Sequence, residues 1–472
     1  MSQMDIPRII IAGTHSGVGK TTIVTGILAA LRQKGLAVQS YKVGPDYIDP
    51  GYHQLASGKA AHNLDTWLIP PEKLASIFSK TAQGNDLAVI EGVMGLYDGG
   101  RTGISSTAAI AKLLDAPVVL VIDAKAVGES AAAMALGFKM YDSEVKLAGV
   151  ILNRLGSLNH QNMICEALDK IKIPVLGSMY RNQALQMPER HLGLTPVTEH
   201  DAQEVVRQLQ EQIAAQLDIE KLIEIAQHSS ALAIDDCGES GISVHQPYPV
   251  RIGVAQDEAF SFYYAESLDV LKTLGAEIVP FSPIKDSALP QVDGVILGGG
   301  FPEMFVSPLS CNKGMHQSIR HACAKGMPFY AECGGFMYLT NTIVDFDGQE
   351  YEMAGIIPAV CSMESKLQTV GYVEATALSD NVLCTAGEVL RGHEFHFSQM
   401  KYDKREEPFP WAFSLKKTRT GATYTGGYAA NNVVASYLHM HFAGNEKSAR
   451  HFLAKCMEFK HGKNNDPWET DR

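Results

Sequence analysis

The run GTHSGVGKTT at 13–22 constrains this chain more than any other feature. An apolar strand pattern, PRIIIAG (7–13), leads into it. A helical pattern from Lys20 to Lys34 leads out, with Ile23, Ile27, Leu28 and Leu31 on its apolar face and Gly35 as its stop. A glycine-rich turn between a buried strand and a helix presents backbone N–H groups at the positive end of the helix dipole, where phosphate oxygens bind. Gly13, Gly17 and Gly19 allow the tight path. Lys20 is placed to contact the transferred phosphate of ATP, and the hydroxyl of Thr21, beside Thr22, to bind magnesium. Five residues separate Gly13 from Gly19, one more than in the usual phosphate loop.

Further apolar runs at 37–43, 86–92, 116–123, 147–153 and 173–179 alternate with helical patterns, and a polar helix is expected over 199–228. Such alternation means a parallel sheet covered on both faces, the α/β class. Ligands in an open parallel sheet bind at the carboxyl ends of the strands. KVGPDYIDPGYH (42–53) places Asp46 and Asp49 after the second strand. VIEGVMGLYDGG (89–100) ends an apolar strand in Glu91 and carries Asp98 on the following loop. Magnesium with a bound triphosphate takes one or two carboxylates and a hydroxyl, so Thr21, Asp46 and Glu91 form the expected set. Lys42 is placed to offset charge on a phosphoryl group. Asp46, Asp49 and Asp98 also suit plain turns, and Glu91 a solvated strand end. Tyr47 and Arg101 lie on the same loops and are expected to meet the substrate from position alone.

At 472 residues the chain is too long for one ordinary core. The stretch 229–249 has no sustained period and holds Gly238, Gly241, Pro247 and Pro249, which reads as a linker between a domain at 1–228 and another at 250–460. A second α/β series follows: strands at 250–257, 277–283, 293–300 and 327–335, with helices near 261–274 and 313–325. A charged tail at 461–472 is expected to fray. The net charge of −12 argues against nucleic acid as a partner. No apolar run is long enough for a membrane span. Eight cysteines without a C-x-x-C pair, and no leader-like start, read as a cytoplasmic protein with reduced thiols.

FYAECGGFMYL (329–339) reads as strand, sharp turn and helix start, with Cys333 on the turn like the nucleophile elbow of hydrolases. A helix N-terminus raises the thiolate fraction. DGVILGGGFPE (293–303) ends another strand in three glycines, so the N–H groups of Gly299, Gly300 and Gly334 form the expected oxyanion hole. A nucleophile of this kind needs a base. ASYLHMHF (435–442) reads as a strand with His439 and His441 on one face; either could serve, and His439 is preferred. RGHEFHFS (391–398) reads as a polar sheet face.

Together SGVGKTT, YKVGPDYIDP, NLDTW (63–67), VIEGVMGLYDG, LGGGFPE, AECGGFMYL, RGHEFHF and ASYLHMHF resemble the cobyrinic acid a,c-diamide synthase family over nearly the whole chain. The resemblance implies a dethiobiotin synthetase-like ATP domain, consistent with the lengthened phosphate loop, followed by a glutamine amidotransferase domain. It implies a cobyrinate-type tetrapyrrole, L-glutamine and ATP as substrates, and magnesium as cofactor. Cys333 would form a thioester with glutamine and release ammonia, with His439 as proton shuttle. Asp46, Asp49 and Asp98 would order carboxylate, metal and ammonia around an acyl phosphate. Asn153 falls where dethiobiotin synthetase-like enzymes contact adenine, although a strand-end cap fits it as well. The usual amidotransferase triad has Glu two residues after its His; here His441 stands there, which implies a Cys–His dyad and leaves the third member open.

Relatives acting on hydrogenobyrinate, on nickel sirohydrochlorin or as cobyric acid synthases share these domain types. GPDYIDP and EGVMGLYDG favour the a,c-diamide group. A partitioning ATPase, the rival of another class, would carry a signature lysine where His15 stands, and would lack the Cys333 domain.

Overall fold

A computed structural model describes residues 2–100, 103–182, 189–190, 193–194, 202–234, 247–402 and 408–464. The chain divides into two compact units, Met1–Ser240 and Gly241–Arg472.

The first unit is built on seven parallel strands: β1 (Arg8–Gly13), β2 (Val38–Val43), β3 (His62–Leu64), β4 (Leu87–Glu91), β5 (Val118–Asp123), β6 (Leu147–Leu155) and β7 (Val175–Tyr180). Their order is β3-β2-β4-β1-β5-β6-β7. Runs such as Ile9-Ile10-Ile11 and Val118–Ile122 are buried throughout, as strands covered on both faces must be. β1 lies between β4 and β5. The connections therefore leave it in opposite directions, and a crevice opens at its carboxyl end. Helix α1 (Lys20–Gln33) starts there and buries Ile23, Val24, Ile27, Leu28 and Leu31. Helix α2 (Asp49–Ser57) follows β2 and starts beside the same crevice.

Two sequence expectations differ from the structure. The helix expected over 199–228 is two helices, Ala202–Gln216 and Ile219–Gln227. Asp218 restarts the chain as an N-cap, its carboxylate accepting from the Lys221 amide at 2.9 Å. The stretch expected to be linker from 229 begins inside the first unit: Leu232–Ile234 pairs antiparallel with Ser2–Met4. Fully buried Arg8 fixes this closure, donating to the carbonyls of Ile6 at 2.9 Å, Leu114 at 2.5 Å and Ser230 at 2.8 Å. Residues 235–246 of that stretch lie outside the described residues.

The second unit carries a ten-stranded mixed sheet. Its parallel part contains β8 (Arg251–Ala255), β9 (Glu277–Phe281), β10 (Gly294–Leu297), β11 (Phe329–Glu332) and Val433–Ser436. Its antiparallel part includes Thr369–Ala377, Val389–His396, Trp411–Lys417 and Thr423–Ala430. The helices near 261–274 and 313–325 are Ala265–Thr273 and Lys313–Ala324. ASYLHMHF is not one strand. It leaves the sheet at Tyr437 and Leu438, and His439–Met440 re-enters at the far edge, beside Val389–His396. The last helix, Glu446–Asn464, runs past the expected tail boundary, and residues 465–472 lie outside the described residues.

Arg8→Ala removes the donors from buried carbonyls, so the first unit should lose about 3 kcal/mol. Urea denaturation followed by tryptophan fluorescence and by proteolysis of that unit measures the loss; an unchanged midpoint would contradict this role.

Candidate active sites

At the carboxyl end of β1, Gly19 takes φ 94°, and a Cβ there would lie 2.5 Å from the Asn153 Nδ2. Only glycine permits this approach. Asn153 donates Nδ2 to the Val18 carbonyl at 2.8 Å. Arg154, itself at φ 59°, donates to the Gly17 carbonyl at 2.8 Å and pairs with Asp123 at 2.6 Å. β6 thus braces the phosphate loop from below, with His15, Ser16 and Gly17 exposed above. A Cβ on Gly13 would lie 2.6 Å from the Val18 Cγ1, so the loop also folds tightly over its first glycine. Lys20 Nζ donates to the Met94 carbonyl at 2.6 Å across the loop. Burial, and then the charge of Lys42, lower its pKa to about 8. Thr22 is half-buried on the first turn of α1.

The Thr21 hydroxyl lies 2.8 Å from Glu91 and 3.1 Å from Asp49. Lys42 Nζ lies 2.5 Å from Asp49 and 2.7 Å from Glu91. His53 Nε2 lies 2.6 Å from the other Glu91 oxygen, with both side chains fully buried. Asp49, rather than the expected Asp46, stands beside Thr21 and Glu91. Asp46 Oδ1 instead accepts from the Ile48 and Asp49 amides at 2.9 and 3.1 Å, where it starts α2. Burial, and then Asp46, raise the Asp49 pKa to about 8. Against burial, Lys42 and His53 hold Glu91 well below the carboxylate range. Asp98 accepts from the Gly95 amide at 3.0 Å and closes the turn between them. Tyr47 is half-buried beside Asp46, and Arg101 lies outside the described residues. His53 and Arg154 were missed in the sequence. Asp49 and His53 stand four apart on α2, one face of a helix, which was a usable signal. For Arg154 nothing local signals its role.

In the second unit, Cys333 ends β11 at φ 46°, ψ −100° and starts helix α3 (Gly334–Leu339). This is a strained conformation for a residue with a side chain, and functional sites concentrate such strain. The turn is pinned by Cys333 N–H to the Ser436 carbonyl at 2.8 Å and Gly335 N–H to the Gly298 carbonyl at 2.9 Å. A Cβ on Gly334 would lie 3.1 Å from the Gly300 nitrogen, and one on Gly299 2.7 Å from His439 Cε1. Cys333, Gly299, Gly300, Gly334 and His439 therefore meet in one place. Cys333 is buried and interacts with His439. Burial opposes the imidazolium, yet the Cys333 charge, with Glu332, lifts the His439 pKa to about 10.

His441 does not share this face. Its Nε2 lies 3.6 Å from Glu266, and its ring stacks on Tyr264 at 4.7 Å. RGHEFHFS lies on the antiparallel sheet as expected, but His393 there is buried, stacks on His439 at 4.9 Å and meets the Tyr264 hydroxyl at 3.0 Å. Burial, and then His439, hold the His393 pKa well below the usual imidazole value. Glu332, whose Oε2 lies 3.4 Å from His439 Nδ1, was also missed, although it directly precedes the nucleophile.

The family described as a CobQ/CobB/MinD/ParA nucleotide binding domain matches residues 9–194, and that described as a CobB/CobQ-like glutamine amidotransferase domain matches 251–447. A glutamine amidotransferase is thus joined to a nucleotide-binding domain in one chain. A cobyrinate a,c-diamide synthase of Dehalococcoides mccartyi strain CBDB1 is 43% identical over 97% of this chain and 99% of its own length. One of Listeria innocua is 43% identical over 93% and 97%. A hydrogenobyrinate a,c-diamide synthase of Streptomyces coelicolor is 41% identical over 96% and 98%. The chain belongs to the a,c-diamide synthase family. Among the described residues, no helix is long and apolar enough to cross a membrane.

The His439 imidazole should titrate near pH 10 in the free enzyme, as followed by NMR of labelled histidine. Cys333→Ala removes the negative partner and should move the midpoint down. A midpoint in the ordinary range in both proteins would remove the ion pair.

Proposed function

We propose that this enzyme uses ATP and glutamine to amidate the a and c carboxylates of cobyrinate, a corrin precursor of cobalamin. The observation that carries the reading is the pairing, in one chain, of a braced phosphate loop with a strained Cys333 elbow facing His439.

In the second unit the Cys333 thiolate attacks the side-chain amide carbon of glutamine. The C–S bond forms and the carbonyl electrons move onto oxygen, which the Gly300 and Gly334 N–H groups, with that of Gly299, are placed to receive. His439 gives its proton to the leaving nitrogen, so ammonia departs as the C–N bond breaks. His439 then takes a proton from water, hydroxide attacks the thioester, and glutamate leaves with the thiolate restored.

In the first unit a substrate carboxylate oxygen attacks the γ-phosphorus of ATP and ADP departs. Ammonia displaces phosphate from the acyl phosphate, leaving the amide and giving its extra proton to the departing phosphate. A carboxylate alone resists ammonia because oxide is a poor leaving group; phosphorylation supplies a usable one. Loop N–H groups and Lys20 hold the phosphates. Oxygen donors of this type suit a hard divalent cation. Thr21, Glu91 and Asp49 would hold magnesium, which neutralises phosphate charge when bound. Asp49, Asp46 and Lys42 would order carboxylate and ammonia, with Asp98 shaping its own loop. Asn153, expected to contact adenine, supports the loop through the Val18 carbonyl.

Cobyrinate, hydrogenobyrinate and nickel sirohydrochlorin offered together with ATP and glutamine should give diamide from cobyrinate fastest. Turnover of none would end the reading. Cys333→Ala should lose glutamine-dependent synthesis while ammonia still supports it; retained glutamine use would exclude Cys333 as nucleophile. Glu91→Gln disrupts the contacts of Thr21, Lys42 and His53 together, so magnesium-dependent ATP turnover should fall at least roughly 100-fold. Wild-type turnover would place the metal elsewhere.

A further inference from the structure

His439 Nδ1 faces Glu332 Oε2 at 3.4 Å. The carboxylate is aimed from its other oxygen: Glu332 Oε1 accepts from the Met440 amide at 3.2 Å and from the Tyr330 hydroxyl. All these donors are buried. Tyr330 and Glu332 lie two apart on β11 and so share a face of that strand, while Met440 N–H belongs to the residue after His439. The carboxylate therefore ties the strand carrying the nucleophile to the short strand carrying the base.

The position two residues beyond His439 is otherwise employed. His441 turns to Glu266 and packs on Tyr264, so it leaves Nδ1 of His439 to another partner. On the opposite side, His393 lies flat against the His439 ring at an interplanar angle of 14° and donates or accepts through Tyr264 rather than toward Nδ1.

We infer that Glu332, the residue immediately before the nucleophile, is the third member of the glutaminase triad, a positioning residue that holds His439 in the tautomer with Nδ1–H and leaves Nε2 for Cys333. This rests on the reading of Cys333 and His439 given above. At 3.4 Å the two groups are in ion-pair contact, and catalytic contacts that are long in a resting site tighten into hydrogen bonds when substrate is bound. The negative charge also favours the imidazolium. The titratable groups facing His439 are Glu332 at Nδ1, Cys333, and His393 against the ring face, with Glu394 and His396 acting on it more weakly.

The test compares glutamine hydrolysis by wild type, Glu332→Gln, Tyr330→Phe and Cys333→Ala across pH, alongside ammonia-supported amidation. Glu332→Gln should lower kcat for glutamine roughly 10- to 100-fold with little change in KM. Its alkaline limb should move to lower pH, because loss of the carboxylate lets the imidazolium lose its proton sooner. Ammonia-supported amidation should persist. Tyr330→Phe keeps the carboxylate but frees one oxygen, so it should shift both quantities the same way by less. It decides the matter if Glu332→Gln does not fold. Wild-type kcat and an unmoved alkaline limb in these variants, with Cys333→Ala inactive, would overturn the Glu332 assignment alone. Glutamine hydrolysis surviving in Cys333→Ala would instead overturn the reading of the elbow.

Discussion

Both sites depend on one constraint: a buried strand must turn into a helix through a short, tight turn while its polar backbone faces outward. At such a turn the first N–H groups of the helix have no partner within the helix itself, and a ligand can supply one. The first unit meets the constraint with Gly19 at φ 94°, where no side chain is needed. The second unit meets it with Cys333 at φ 46°, because there the side chain is the reagent. The strain at Cys333 is tolerated because neighbours on both sides fix it, through the Ser436 and Gly298 carbonyls.

Around each turn, the remaining residues manage charge. In the first unit Lys42 sits between Asp49 and Glu91, so two buried acids share one lysine before any phosphate arrives. His53 holds Glu91 from behind, which keeps its other oxygen directed at Thr21 and Lys42. In the second unit Glu332 and Cys333 flank His439 in the same manner, two acids about one base. His393 stacks there as a neutral ring, filling space without adding a competing charge.

The parallel sheets and the strand ends were legible in the sequence because buried strands read as unbroken apolar runs, and Gly, Asp and Cys punctuate them. Glu91 and Cys333 stand at such ends, and Lys20 and Thr21 open the helix that follows one. The exchange of Asp46 for Asp49 beside Thr21 was not legible, since both acids occupy one turn and only the start of α2 decides which faces inward. Glu332 and Arg154 escaped for another reason. Each acts on a residue far away in sequence, Glu332 on His439 and Arg154 on Gly17, and no local pattern encodes such a contact. The break between Ser436 and His439 was hidden by a clean alternation of apolar residues and histidines that mimics a continuous strand.

The division of labour between the two units is tested most directly with two labels in one reaction. Glutamine carrying 15N in its side-chain amide is supplied with ATP and a cobyrinate whose carboxylates carry 18O. Every new amide should contain 15N, and each phosphate released with it should carry a single 18O taken from the carboxylate. Phosphate free of 18O would mean that no acyl phosphate forms, and amides lacking 15N would mean that the nitrogen does not come through Cys333.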